Sequence, residues 1–551
     1  MRRAWLSRVP QRPRNARPRV IAALSLTLAV SCCGGSALLL ATSAAPVMPL
    51  GQGQAQARAQ GQVPAVRAGQ PFRERFEAIK KDASPEELYR LLYELPKGGD
   101  IHHHLGLSFL AEDLWEGATN PAINKGNEFF TRIRVSACPS DSTPPLRFVN
   151  VQRSAYEQLP ACEKADYVSL RVLTEEQRQE WLSALRLDKP GEGRNEFFEA
   201  AVNRASGITR NIEVLDYEIR RLLTRLGREH LRYVESQTGW SGYYDNSGNI
   251  LQTAQVAERL RRVLASPEAQ ASGVTMRFQA VAIRFAPNAE TQVAEAYRVV
   301  AQNRDLFVGV NMAGREDNDK GAASRFLTTF REMRRFYSGV HLSIHAGEKD
   351  APGREVRDTL LLGAERIGHG FNLITDPDEM LLLRNGPTLV EVSLVSNHLL
   401  EYAPDLGAHP FIEYLRTGIP VCLNTDDAGS WDSQLTDDYY LAVSQFDLTW
   451  DELVEMGRAS LRYAFVDAGK KDELLSSYDT AVKAFEARFS RPNWRATLPA
   501  ESAVPVSGYA RRRIEFTYNA RGQLVRLIEF GWAPYSDGAR RVARGFQVTH
   551  E

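Results

Sequence analysis

The chain has 551 residues, 43% of them hydrophobic, enough for a large core or several domains. Its 68 basic and 68 acidic residues cancel, but nine arginines and no acids fall in residues 1–70, so the remainder carries 59 basic against 68 acidic groups. A mildly acidic body argues against a nucleic-acid partner.

Residues 1–45 read as a secretory leader. An Arg-rich front precedes the apolar stretch Val20–Val30, then Ser31-Cys32-Cys33-Gly34-Gly35 and a second apolar run, Ala37–Ala41. Cleavage near Ser43-Ala44, with a secreted or periplasmic product, is the first reading. Two others stay open. Ala29-Val30-Ser31-Cys32 is an imperfect lipoprotein cleavage site, and a retained leader would anchor the chain in a membrane. Residues 46–70 are rich in Gln, Ala and Gly without apolar periodicity and read as a flexible linker. Residues 71–95 read as a helical segment, with Phe72, Phe76, Ile79, Leu88, Leu91 and Leu92 spaced among charges.

Eight strand candidates follow, ending near Ile101, Val234, Ile283, Val310, Ile344, Ile367, Val392 and Leu423. They are short and rich in Val, Ile and Leu, as strands buried on both faces are. Helical patterns such as Thr291–Asn303 and Ala323–Tyr337 separate most of them. Alternation of this kind predicts a parallel sheet, and eight units predict an α/β fold of the closed (β/α)8 TIM-barrel type over residues 96–497. The active site of such a barrel lies at the C-terminal ends of its strands. The gap of about 130 residues between the first two strands is too long for one crossover. Residues 110–175 therefore read as an inserted subdomain. It contains Cys138 and Cys162, the two cysteines left once Cys32 and Cys33 are assigned to the leader and Cys422 to a buried strand. In an oxidising compartment these two would pair. Residues 498–551 change character: Arg511–Tyr518, then Asn519-Ala520-Arg521-Gly522, then Gln523–Phe530 predict a β-hairpin extension.

Four motifs at strand ends carry the chemistry: Asp100-Ile101-His102-His103-His104, Ser343-Ile344-His345-Ala346-Gly347-Glu348, Arg366-Ile367-Gly368-His369-Gly370 and Asn424-Thr425-Asp426-Asp427. A divalent cation such as zinc takes imidazole nitrogen and carboxylate oxygen, and a catalytic site keeps one position open for water. His102 and His104 are two apart, so on a strand they share a face, and His103 points away. His345 and Asp426 would complete the set for one ion per chain. The ion would lower the pKa of a water, His369 suits a base, and Glu348 suits a proton donor to the substrate.

These motifs, with Pro96-Lys97 before the first and Ala313-Gly314 between, resemble the metal-dependent adenosine deaminase family from about residue 75 to 495. The Pro-Lys-Gly-Gly opening, the insertion and the leader look most like its extracellular branch, the adenosine deaminase-related growth factors. The resemblance implies zinc on His102, His104, His345 and Asp426, and Glu348 protonating the purine at N1. It implies His369 and Asp427 orienting the attacking water, Asp427 also meeting N7, and the Gly314 backbone facing the purine. It implies an N-terminal helical segment that often serves dimerisation, hence a homodimer, and it adds support for a disulfide in the insertion. One departure stands out: the family has an aspartate after the second histidine that meets the ribose, and this chain has His104-Leu105-Gly106-Leu107. The implied reaction is hydrolysis of adenosine or 2′-deoxyadenosine to the inosine analogue and ammonia. Two alternatives stay open: another aminopurine or nucleoside as substrate, and an exported, catalytically silent binding or signalling module.

Overall fold

The apolar runs form a single parallel sheet of eight strands. In the computed structural model these are β1 (Gly98–His104), β2 (Leu231–Thr238), β3 (Thr275–Ile283), β4 (Phe307–Ala313), β5 (His341–Ala346), β6 (Arg366–His369), β7 (Leu389–Val392) and β8 (Val421–Leu423), each paired with the next. The structure describes residues 70–136, 146–189, 191–317, 319–518, 524–532 and 541–544. The leader, the linker and Cys138 lie outside them.

The cylinder closes just beyond β8. The Asp426 N–H donates to the His102 carbonyl at 3.0 Å and the His104 N–H donates to the Asp426 carbonyl at 2.9 Å, a parallel bridge that joins the last strand to the first. Helices alternate with the strands and cover them; Ala289–Gln302 lies across β3 and β4, for example. The chain is thus the expected (β/α)8 barrel.

Five strands run two to four residues past their expected ends, β1 to His104 and β2 to Thr238 among them. Most of the extra residues are polar, and several of them, His102, His345 and His369 included, meet inside the barrel mouth. A strand expected to stop where polarity begins therefore ends short of its observed length.

The segment 70–94 is two helices, Gln70–Asp82 and Pro85–Glu94. Ser84 breaks it: its side chain accepts from the Glu87 N–H while the Glu87 carboxylate accepts from the Ser84 N–H, a reciprocal cap that starts a new helix at Pro85. The apolar face is covered by the chain's own barrel flank, where Phe72 meets Trp450 edge-on at 4.7 Å and Phe485 at 6.1 Å. Between β1 and β2, residues 129–132, 150–152 and 167–169 form a small antiparallel sheet with 129–132 in the middle. Trp181 anchors it, fully buried, with its indole N–H donating to Asn150 Oδ1. At the other end, Ile514–Tyr518 pairs antiparallel with Leu524–Trp532, as the hairpin reading expected, and Arg541–Arg544 adds a third strand. The first of these begins at Ile514 rather than Arg511 because Gly508–Arg513 is helical. Among the described residues no helix is long and apolar enough to cross a membrane.

Candidate active site

Below the mouth, the inside of the barrel is charged. The fully buried Arg366, at the start of β6, lies 2.6 Å from carboxylate oxygens of both Glu235 and Glu391. Gln279 donates to Glu235, and Asn311 donates to Gln279 at the long distance of 3.4 Å. Glu391 also accepts from the Ser343 hydroxyl and from His102 Nδ1 at 2.7 Å. This last contact fixes the tautomer: His102 carries its proton on Nδ1 and turns the lone pair of Nε2 into the mouth. Asn311 does the same for His345, accepting from its Nδ1 at 3.1 Å.

The backbone around these rings is held tightly. Asn424 Oδ1 accepts from the Ile101 and His102 N–H groups where β1 bulges between Asp100 and His103, and Asp100 accepts from the Thr425 hydroxyl. Gly368 is glycine because a Cβ there would sit 2.6 Å from His102 Cε1. His369 and Asp426 both adopt φ +62°, a costly conformation for non-glycine residues that aims each side chain inward.

His102, His104, His345 and Asp426 converge as a result. His345 Nε2 is 3.1 Å from His102 Nε2 and 3.2 Å from His104 Nε2, while Asp426 Oδ1 is 3.4 Å and 3.2 Å from the same two nitrogens. Four donors about 2.1 Å from a common tetrahedral centre are spaced about 3.4 Å apart. Two facing lone pairs beside a carboxylate repel unless a cation lies between them. Asp426 Oδ2 accepts from Ser396, yet the buried Oδ1 has no partner. The residues therefore fit a divalent metal ion. His103 is buried elsewhere, with Nδ1 on the Ser236 hydroxyl.

Glu348, His369 and Asp427 are buried beside this cluster, and Glu348 Oε2 lies 3.6 Å from His369 Nε2. Burial, and then the neighbouring carboxylates of Asp426 and Glu316, hold the Glu348 carboxyl well above its usual range. Burial, with Asp426 and Glu348 nearby, does the same to Asp427. Burial pushes His369 down to about 3. Burial opposes charge on Asp426 as well, but the His102 and His104 rings beside it outweigh burial and hold the carboxylate well below its usual range. Glu316 accepts from the Gly347 and Glu348 N–H groups and sits 3.7 Å from the buried Arg284, which fixes the turn that presents Glu348. Gly314 follows β4 at the same rim, with the Phe285 ring where a Cβ would stand. Gly106 lies in the turn Leu105–Leu107, and a Cβ there would be 3.5 Å from Thr209 Oγ1.

Sequence reasoning missed Glu391, Arg366, Asn311, Ser396 and Glu316. A signal existed for Glu391, a charge inside the apolar strand Leu389-Val390-Glu391-Val392.

The family model described as adenosine deaminase matches residues 198–481. An adenosine deaminase from Vibrio cholerae is 32% identical over 180 residues, 32% of this chain and 52% of the relative. An adenine deaminase from Agrobacterium fabrum is 34% identical over 188 residues, 34% of this chain and 56% of the relative. The chain thus spans about half the length of the curated relatives it matches. Among solved structures, the N6-methyl-AMP deaminase of Arabidopsis thaliana superposes with a TM-score of 0.53 at 18% identity, covering 72% of this chain and 99% of that one. A zinc-bound amidohydrolase from Burkholderia ambifaria gives 0.52 at 17% identity, covering 72% and 94%. At these identities the two structures establish the shared fold.

Proposed function

The chain belongs to the adenosine deaminase family, and on that premise we propose that it hydrolyses the amino group from a purine nucleoside, converting adenosine or 2′-deoxyadenosine to the inosine analogue and ammonia. The observation that carries this reading is the four-donor cluster of His102, His104, His345 and Asp426 with the buried Glu348 and His369 beside it. Three imidazoles and a carboxylate suit zinc, which would be held by these four residues. When bound, the ion supplies the positive charge that acidifies a water molecule. Glu348, kept protonated by burial next to Asp426 and Glu316, donates its proton to N1 of the purine as the water adds at C6; of the water's two protons, one leaves on the amino group as ammonia and one restores Glu348. His369 and Asp427 orient that water, Asp427 also meets N7, and the Gly314 backbone faces the ring. Burial of Glu348, His369 and Asp427 keeps bulk solvent from these groups.

A second reading, deamination of a different aminopurine, is favoured by Gly106, which offers no side chain where the family's aspartate would meet the ribose. The similarity to an adenine deaminase and to an N6-methyl-AMP deaminase supports it too. Comparing kcat/KM for adenosine, deoxyadenosine, adenine and AMP on one preparation decides between the two. Preference for either nucleoside upholds the first reading; preference for adenine or AMP moves the enzyme to the second. No ammonia from any of the four would leave an exported, silent binding module.

The basic, apolar leader supports export. In an oxidising compartment Cys138 then pairs with Cys162, closing a loop worth about 3 kcal/mol in the chain-entropy view. Peptide mapping of exported, unreduced protein should recover the two linked. Recovery of both as alkylated thiols refutes the pairing.

A further inference from the structure

A run of hydrogen bonds with only one consistent polarity leads from the backbone into the site. The Phe411 N–H is a donor, so His409 Nδ1, 3.2 Å away, accepts. The proton of His409 is then on Nε2, which donates to Asn397 Oδ1 at 3.0 Å. The other end of that amide, Nδ2, faces His369 Nδ1 at 3.3 Å and donates to it. Turning the Asn397 amide over would set its N–H groups against the His409 N–H. Adding a second proton to His409 would set N–H against the Phe411 N–H, and adding one at His369 Nδ1 would set it against Asn397. His369 therefore carries its proton on Nε2, the nitrogen that faces Glu348 Oε2 at 3.6 Å. Asn397 and His369 are fully buried and His409 nearly so, which shields the run from water that would relax its polarity.

We propose that Asn397 and His409 are positioning residues that fix His369 as an Nε2–H donor, so that it holds the attacking oxygen by donating a hydrogen bond to it rather than by accepting one. This rests on the deaminase reading and replaces the base role read for His369 from the sequence. A nitrogen that already bears a proton has no lone pair to receive another. The left-handed backbone of His369 fits such a role, because it fixes where the donor points.

The test uses the full-length, metal-loaded protein, labelled with 15N histidine, with the His369 resonances assigned by loss in His369→Gln. The expected wild-type spectrum shows His369 protonated on Nε2 and bare on Nδ1. Asn397→Asp presents an acceptor in place of the donor and should move the proton to Nδ1. kcat for adenosine should then fall about 10–100-fold, with KM and metal content unchanged. His409→Gln still donates to Asn397 and should stay within a few-fold of wild type, whereas His409→Phe should lose as much as Asn397→Asp. The inference is overturned by a wild-type His369 protonated on Nδ1. It is overturned equally by an Asn397→Asp protein whose proton moves while kcat does not, or by His409→Gln and His409→Phe behaving alike. The His409 pair keeps the test open should Asn397→Asp fail to fold. If wild type released no ammonia from any purine, the deaminase reading would fail, while the tautomer would still be read from the spectrum.

Discussion

Two buried polar clusters share the inside of one cylinder and differ in what their atoms face. In the lower one, Arg366 lies within ion-pair reach of Glu235 and Glu391, and those carboxylates take further bonds from Gln279, Ser343 and His102; the Arg366 Nε makes no aligned hydrogen bond but lies 2.6 Å from a Glu391 oxygen. In the upper one, Asp426 Oδ1, His369 Nε2 and Asp427 Oδ1 are buried with no hydrogen-bond partner. Leaving a buried polar atom unpaired costs about 1–3 kcal/mol. A fold keeps several together only where an outside ligand completes them. The lower cluster is thus built for holding and the upper one for receiving. They touch at Glu391, which relays the fixed charge of Arg366 to the ring of His102, and at Asn311, which joins Gln279 to the ring of His345.

The contrast can be broken most severely from above. His345→Ala should abolish turnover and metal retention while leaving the unfolding midpoint of the chelator-stripped protein close to that of stripped wild type. Full metal occupancy in that variant would remove His345 from the ligand set. Glu348→Gln should keep metal and fold and lower kcat by about 10²–10⁴-fold. Its stability should be unchanged or higher, since it relieves the crowding with Asp426 and Glu316; a rate within a few-fold of wild type ends its role as proton donor. From below, Arg366→Met strands Glu235 and Glu391 as buried carboxylates and should cost about 3–5 kcal/mol in denaturant unfolding. An unfolding curve superimposable on wild type would show that the lower cluster holds nothing.

The barrel was legible because each strand is a compact apolar run bounded by polar sequence, and the four motifs were legible because they stand at the ends of those runs. What escaped has physical causes. The strands of the small inserted sheet are three or four residues long, too short for alternation to show. The helix break at Ser84-Pro85 was hidden inside a continuous apolar period, although Ser84 and Glu87 spell its cap. Asn311, Ser396, Asn397 and His409 act through partners brought close by the fold alone. His409 lies 40 positions from His369 and touches it only through Asn397.

The bridge that closes the cylinder runs through His102, His104 and Asp426, which are also three of the four candidate metal donors. Asp426 lies more than three hundred positions from the two histidines in the chain. The donor set is therefore complete only when the first strand meets the end of the eighth. A fragment limited to the matched residues 198–481 would own His345 and Asp426 but neither His102 nor His104. Such a piece, like any chain halted before its seam is sewn, lacks the means to grip the ion. An ion held by these four residues would thus report a closed barrel, since the same stitches make the barrel a barrel.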